Sequence, residues 1–129
     1  MLAVYALAAW TVFVWGTRIS NIVGGAGSPV DLALAVGLAG LGVAVGVAAW
    51  RRTPRWLLTT LVLATLGMWA VRTPLILFDA DRGAAFKTVH LVLAAVSVAL
   101  AVAAWRTGST AMVGAYHRRR SPAGTAPPR

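Results

Sequence analysis

The middle of the chain reads Trp50-Arg51-Arg52-Thr53-Pro54-Arg55-Trp56. Three arginines lie within this short turn, two tryptophans bracket it, and long apolar runs flank it on both sides. Basic residues beside apolar spans collect on the cytoplasmic side of a membrane, and tryptophan is enriched at the membrane interface. The turn therefore predicts a cytoplasmic loop that joins two membrane-embedded halves of the chain.

The composition places most of the chain in lipid. Of its 129 residues, 59% are hydrophobic and only 12% are charged, whereas a soluble domain carries about 25% charged residues. The net charge is +9, but the basic residues adjoin apolar runs and form no folded basic face, so nucleic acid is not an expected partner. Anionic lipid at the cytoplasmic face is the expected partner instead. The absence of cysteine excludes disulfides, thiolate metal sites and cysteine nucleophiles.

Four apolar segments are long enough to cross a bilayer, because about 20 helical residues cover the roughly 30 Å hydrocarbon core. We place them at residues 2–22, 29–50, 54–78 and 84–105. The short loops between them predict antiparallel neighbours, and hence an all-α integral membrane bundle over residues 1–108. No basic region precedes the first segment, so we expect a retained span rather than a signal peptide. Residues 109–129 are basic and proline-rich, which predicts a disordered cytoplasmic tail.

Local signals mark where the helices start. Ser28 precedes Pro29, and Asp31 follows Ser28 by three residues, which predicts a capping box with proline at the first helical position. Thr53-Pro54 repeats the pattern of cap followed by proline ahead of the third span.

Other local signals mark where helices end. Pro74 removes a backbone donor, so we expect the third helix to kink or end early there. Gly108 is a plausible stop for the fourth helix. Either Asp79 or Asp81 is placed to cap that helix at its start.

The charges predict the orientation. One side of the predicted bundle carries eight basic residues and no acidic residue, namely Arg51, Arg52, Arg55, Arg106, Arg118, Arg119, Arg120 and Arg129. The other side carries Arg18, Arg72, Arg82 and Lys87, together with Asp31, Asp79 and Asp81. The positive-inside rule then puts both termini and the central turn in the cytoplasm of a cell membrane.

The two halves resemble each other. Residues 43–51 match residues 98–106 at seven of nine positions with an offset of 55. Trp15 and Arg18 match Trp69 and Arg72 with an offset of 54. We therefore predict two parallel copies of one helical hairpin, related by a pseudo-twofold axis along the membrane normal. The two arginines would then face each other, or a shared neighbour, at one depth.

Small residues predict close helix packing in the second span. Gly42 and Gly46 form a GxxxG motif, which lets a neighbouring helix approach closely. Packing within the bundle and self-association into a homo-oligomer are both compatible with this motif, and packing within the bundle is favoured.

Arg18 and Arg72 are the main candidates for a function. An arginine near the end of a span either snorkels to the headgroups or binds an anion, such as lipid phosphate, at the outer leaflet. Trp15 and Trp69 precede them by three residues, so each tryptophan is placed for a cation–π contact with the arginine of its own helix.

The remaining candidates have ordinary alternatives. Asp31 either pairs with Arg18 or only caps its own helix, and His90 either packs between helices or responds to protons. Asp79 and Asp81 are expected to be solvated loop acids rather than metal ligands. We expect no metal and no cofactor.

The sequence favours a non-enzymatic accessory or structural subunit of a larger membrane complex. This prediction rests on the small size of the chain, the small residues on its helix faces and the basic residues of its predicted cytoplasmic side. The alternative is a small transporter or lipid- or anion-binding protein that uses Arg18 and Arg72. A membrane enzyme is not expected, because no nucleophile or acid–base pair is evident.

Overall fold

The computed structural model describes residues 1–51 and 53–120, with residues 26 and 109–120 described by their backbone alone. This part of the chain is all-helical. Its elements are α1 (Leu2–Asn21), a π-helical turn (Ile22–Ala26), α2 (Pro29–Arg51), α3 (Arg55–Phe78) and α4 (Ala84–Arg120). Within the described chain, four helices are long and apolar enough to cross a membrane. This confirms the predicted all-α class and the number of membrane-length helices.

The helices form two hairpins, α1 with α2 and α3 with α4. The hairpins meet mainly through α1 and α4, and the contact between α2 and α3 is smaller. We call one end of the bundle the basic end, where α1 and α3 begin and where Arg55 lies 5.9 Å from the ring centroid of Trp105. The opposite end, where α2 and α4 begin, is called the cleft end.

The predicted capping box at the start of α2 is present. Ser28 Oγ accepts a hydrogen bond from the backbone N–H of Asp31 at 3.2 Å. In return, the Ser28 N–H donates to Asp31 Oδ2 at 3.3 Å and the Ser28 hydroxyl donates to the same oxygen at 2.9 Å. Pro29 is the first helical residue. The cap uses only one oxygen of the Asp31 carboxylate, so Oδ1 remains available to another element.

The start of α3 differs from the prediction. The helix begins at Arg55, and Pro54 occupies the N-cap position with φ −59° and ψ 136° and without a side-chain capping bond. The Thr53 hydroxyl has no hydrogen-bond partner among the described residues. Because the extended ψ of Pro54 keeps it out of the helix, the cap falls one residue later than the sequence pattern indicates. Arg52 lies outside the described residues.

Neither Pro74 nor Gly108 ends its helix, and the kink that was the other expectation at Pro74 stays a prediction. The helix α3 continues through Pro74 to Phe78, because neighbouring groups within a bundle tolerate the one backbone bond that proline removes. The helix α4 continues through Gly108 to Arg120, so the backbone is helical over residues 109–120, where disorder was predicted. A single glycine costs a helix only about 1 kcal/mol, which packing readily overrides. Residues 121–129 of the predicted tail lie outside the described residues.

The two hairpins bury their first helices in the same way. The buried residues of α1 are Val4, Leu7, Ala8, Thr11 and Trp15. Those of α3 are Leu58, Leu61, Val62, Thr65 and Trp69. Each member of the second set follows its counterpart by 54 residues, which is the offset that relates the two Trp-x-x-Arg motifs. The two helices therefore present equivalent faces to the interior.

The GxxxG motif of α2 packs inside the bundle against α1. A Cβ atom on Gly42 would lie 3.1 Å from Val12 Cγ2 and 3.2 Å from the carbonyl oxygen of Ala8. At Gly46 the same atom would lie 3.6 Å from Ala8 Cβ. Glycine at position 42 is thus required by close helix contact, which is the favoured of the two sequence interpretations.

We predict that Gly42→Val lowers the free energy of unfolding by about 1–3 kcal/mol, because the added methyl groups overpack the contact with α1. Titration of the detergent-solubilised protein with sodium dodecyl sulfate would measure the loss. Gly40→Val is the matched control, since a Cβ there meets nothing within 4 Å. Equal effects of the two changes would contradict the assignment of Gly42 to the α1 interface.

Candidate functional site

One carboxylate joins three helices at the cleft end of the bundle. Asp31 of α2 accepts a hydrogen bond from Arg72 Nη2 of α3 at 3.1 Å through Oδ1. Nη2 of Arg18 from α1 lies 4.0 Å from the same oxygen. The capping box holds the other oxygen, so the carboxylate is fixed before either arginine reaches it. Asp31 therefore caps its helix and also pairs with both arginines.

The two arginines differ in how well they are satisfied. Arg72 is hydrogen-bonded to Asp31, whereas Arg18 makes only the longer ion pair. The Nε atom of Arg18 is buried and has no hydrogen-bond partner within the described residues. A guanidinium carries five donors, and a buried donor without a partner costs about 1–3 kcal/mol. Arg18 thus keeps donor capacity that a bound anion would satisfy.

The cation–π contact differs from the prediction. The Arg72 guanidinium lies 5.6 Å from the ring centroid of Trp15, the tryptophan of the other hairpin, rather than pairing with Trp69 of its own helix. Arg72 extends across the bundle toward Asp31, and α1 packs directly on α2 along that path. The contact therefore links the two hairpins.

A cleft of about 1030 Å³ opens beside the arginines between α1, α3 and α4. The side chains of Trp15, Trp69, Arg18, Arg72 and His90, all singled out from the sequence, line it. Its further polar lining includes Thr17, Ser20, Asn21, Asp79 and Arg82. The structure thus brings five of the six candidate residues to one cleft. The sixth, Asp31, is not among the lining residues and contacts the two arginines from α2.

The start of α4 forms a wall of the cleft that the sequence reasoning missed. The Arg82 guanidinium lies 4.7 Å from the ring centroid of Phe86, and the Phe86 and His90 rings are 4.0 Å apart. Phe86 and His90 are spaced by four, so helical periodicity would have placed these two on one face of α4, whereas Arg82 lies in the loop before the helix. Arg82 also pairs with Asp79 at 3.3 Å, and the Asp79 carboxylate accepts the backbone N–H of Asp81 at 3.0 Å. Asp79 thus stabilises its own loop.

His90 has a defined proton position. Its Nδ1 lies 2.9 Å from the carbonyl oxygen of Phe86. A carbonyl oxygen only accepts, so Nδ1 must carry the proton and donate it. The other ring nitrogen, Nε2, is not used by this contact, and His90 is among the residues that line the cleft.

The cleft exists because α4 packs closely along only part of its length. Near the basic end, Ala101 and Ala104 join the core formed with Leu7, Val45 and Leu61. At the cleft end, a second core of Trp15, Ile22, Ala35 and Leu38 forms without α4. The Trp10 indole N–H donates to Ser97 Oγ at 2.9 Å between these regions. Beyond that point, no described residue of α4 before Ala94 is buried.

The residues predicted to set topology lie elsewhere. Arg51, Arg55 and Arg106 are at the basic end, away from the cleft lining. Arg118, Arg119 and Arg120 belong to α4 by their backbone, and their side chains lie outside the described part. Among the described residues, no group of three His, Cys, Asp or Glu is placed to hold a metal ion.

Comparisons of the chain with protein-family models, with curated proteins and with solved structures give no match. Any functional conclusion therefore follows from the geometry of this chain. The features that bear on it are the shared carboxylate, the underused Arg18 and the cleft beside them.

We predict that Asp31 is coupled more strongly to Arg72 than to Arg18. A double-mutant cycle with Asp31→Asn and Arg72→Gln should give a favourable coupling free energy, since the two side chains form a hydrogen-bonded ion pair. The cycle with Arg18→Gln should give a smaller value because its pair is 0.9 Å longer, at 4.0 Å against 3.1 Å. Unfolding in mixed detergent micelles would measure both, and the reverse order would contradict the geometry.

Proposed function

We propose that the chain is a multi-pass membrane protein that binds the anionic group of a ligand in the cleft between α1, α3 and α4. The observation that carries this proposal is the pairing of two guanidinium groups, Arg18 and Arg72, with one shared carboxylate. Two arginines against one aspartate leave one positive charge to be balanced. Bidentate donors of this kind favour phosphate and carboxylate groups.

Membrane insertion is supported by the exposed apolar surface. Large hydrophobic side chains project outward along all four helices, among them Phe13, Val47, Leu63, Val71 and Val92. A soluble monomer rarely exposes so continuous an apolar surface. Trp50 and Trp56 are 86% and 68% exposed, which suits an interfacial aromatic belt rather than a core.

The proposed orientation places both termini and the central turn in the cytoplasm and the cleft at the outer leaflet of a cell membrane. The excess of arginine at the basic end supports it. The equal burial patterns of α1 and α3 support a duplicated hairpin. A pseudo-twofold axis along the membrane normal would bring the two arginines to one depth, consistent with their shared contact at Asp31.

The orientation predicts that Ala80→Cys, in the loop after α3, reacts with a membrane-impermeant maleimide in intact cells. Ser121→Cys should react only after the cells are permeabilised. The chain contains no cysteine of its own, so the labelling is specific to the introduced residue. Labelling of Ser121→Cys but not Ala80→Cys in intact cells would reverse the assigned orientation.

The proposed binding predicts that Arg18→Gln and Arg72→Gln each reduce retention of anionic lipid at least about tenfold, because each removes a charged donor from the cleft. Native mass spectrometry of the protein released from membranes would measure the retained lipid. Arg55→Gln is the comparison variant: it removes one charge from the basic end, where anionic lipid is expected at the cytoplasmic face, and its loss of lipid should be smaller than that of either cleft variant. Retention unchanged in both cleft variants would favour snorkelling of the arginines over binding.

The second candidate function is a non-enzymatic accessory subunit of a larger membrane complex. It is supported by the outer face of α2, where a Cβ on Gly37 or Gly40 would meet nothing within 4 Å. Such a face admits a close partner helix, either from another protein or from a second copy. The same mass spectra distinguish the candidates, since this one requires a stoichiometric protein partner in mild detergent.

A further inference from the structure

The two hairpins differ at the position of the shared carboxylate. The helices α2 and α4 begin at Pro29 and Ala84, which are 55 residues apart. This is the offset that aligns residues 43–51 with residues 98–106. At this offset, Phe86 stands where Asp31 stands in the first hairpin. The second hairpin therefore carries an arginine, Arg72, but no acid equivalent to Asp31.

The cleft lies on the side that lacks the acid. Phe86 lines it, whereas Asp31 approaches the arginines from α2. The charged groups of this region are three arginines, Arg18, Arg72 and Arg82, and two carboxylates, Asp31 and Asp79. One net positive charge remains. Lys87 and Asp81, the other charged residues near this end, cancel each other.

The cleft also reaches the apolar surface of the bundle. Phe13 of α1 and Val89 of α4 line it, and they are 58% and 56% exposed. Both lie within helices long enough to cross a membrane, so this side of the cleft faces the surroundings of the apolar spans. At about 1030 Å³, the cleft is at the upper end of ligand sites, which are about 300–1,000 Å³. It is much larger than an inorganic anion.

We infer that the ligand of this cleft is a monoanionic amphiphile, with one singly charged oxyanion head, either carboxylate or phosphodiester, on an apolar chain. This inference rests on the proposed function and specifies the class of ligand. The head takes the place of the carboxylate that the second hairpin lacks, and it balances the single positive charge. Its oxygens accept from the exposed part of the Arg18 guanidinium, whose side chain is 32% exposed and lines the cleft, and from the donors of Arg72 that Asp31 leaves free. The chain leaves the cleft past Phe13 and Val89.

The test restores the missing carboxylate by Phe86→Asp. An aspartate at this position occupies the first turn of α4, as Asp31 does in α2, where a helix N-terminus favours negative charge. The variant is therefore expected to fold, and thermal unfolding by circular dichroism checks this. Phe86→Asn is the matched control, since it makes the same change in size without the charge.

Binding is measured on the full chain in nanodiscs of zwitterionic lipid by titration with four probes. These are oleate, a phosphodiester lipid with one negative charge, a zwitterionic phospholipid and inorganic phosphate. We expect the wild type to bind the first two and neither of the others. Both variants lose the Phe86 ring from the cleft wall, so the comparison is between them: Phe86→Asp should bind both probes at least about tenfold more weakly than Phe86→Asn, because like charges in one site repel.

The outcomes separate this inference from the proposed function. If Arg72→Gln abolishes binding but Phe86→Asp binds as Phe86→Asn does, the missing-carboxylate inference is overturned and the anion site stands. If inorganic phosphate binds as tightly as oleate, the apolar chain has no role and the amphiphile class is overturned. If the wild type binds no anionic probe, or Arg18→Gln and Arg72→Gln both bind normally, the proposed function itself fails. A folded Phe86→Asp that loses oleate while Phe86→Asn keeps it supports the inference.

Discussion

The structure depends on the Asp31 carboxylate. An arginine inside an apolar span costs about 2.5–3.5 kcal/mol at the bilayer centre and less toward the boundary, and this chain places two arginines at one end of its bundle. Asp31 pairs with both arginines through Oδ1 and balances one of the two charges, while its second oxygen caps α2 through Ser28. One residue thereby fixes the start of a helix, pairs α2 with α3 across their smaller interface, and brings Arg18 of α1 to the same point.

The cleft is a consequence of side-chain size along α4. Alanines at positions 101 and 104 allow this helix to approach its neighbours near the basic end, where all four helices share a core. Phe86 and His90 stack on each other near its start, and no described residue of α4 before Ala94 is buried. α4 is therefore packed into the core at the basic end and borders the cleft at the cleft end.

The all-α class, the four membrane-length helices and most residues of the candidate cleft could be predicted from the sequence because the signals involved are local. The capping box at Ser28, the lengths of the spans and the repeat of Trp-x-x-Arg all depend on near neighbours in the chain or on direct comparison of its halves. Sequence reasoning could not foresee that Arg72 contacts Trp15 rather than Trp69, because that contact depends on which helices pack together. The cleft was also missed. Arg82, Phe86 and His90 form one of its walls, and that arrangement depends on how α4 packs against the other helices, which local sequence signals do not report. The continuation of α4 through Gly108 shows packing overriding a weak local stop: a Cβ there would lie 2.8 Å from Leu58 Cδ2.

The two hairpins bury matching faces but carry different residues at the position of the Asp31 counter-ion. In α1 and α3 the buried faces agree position by position, so both helices remain constrained by the same core. Near the start of the second helix of each hairpin the two halves differ: the first has Asp31 and the second has Phe86. A second aspartate would neutralise the arginines and remove any reason for an external anion to bind. With phenylalanine there instead, this end of the bundle keeps one unbalanced positive charge beside apolar side chains. In the inferred ligand, the anionic head matches the charge and the apolar chain matches the apolar side chains.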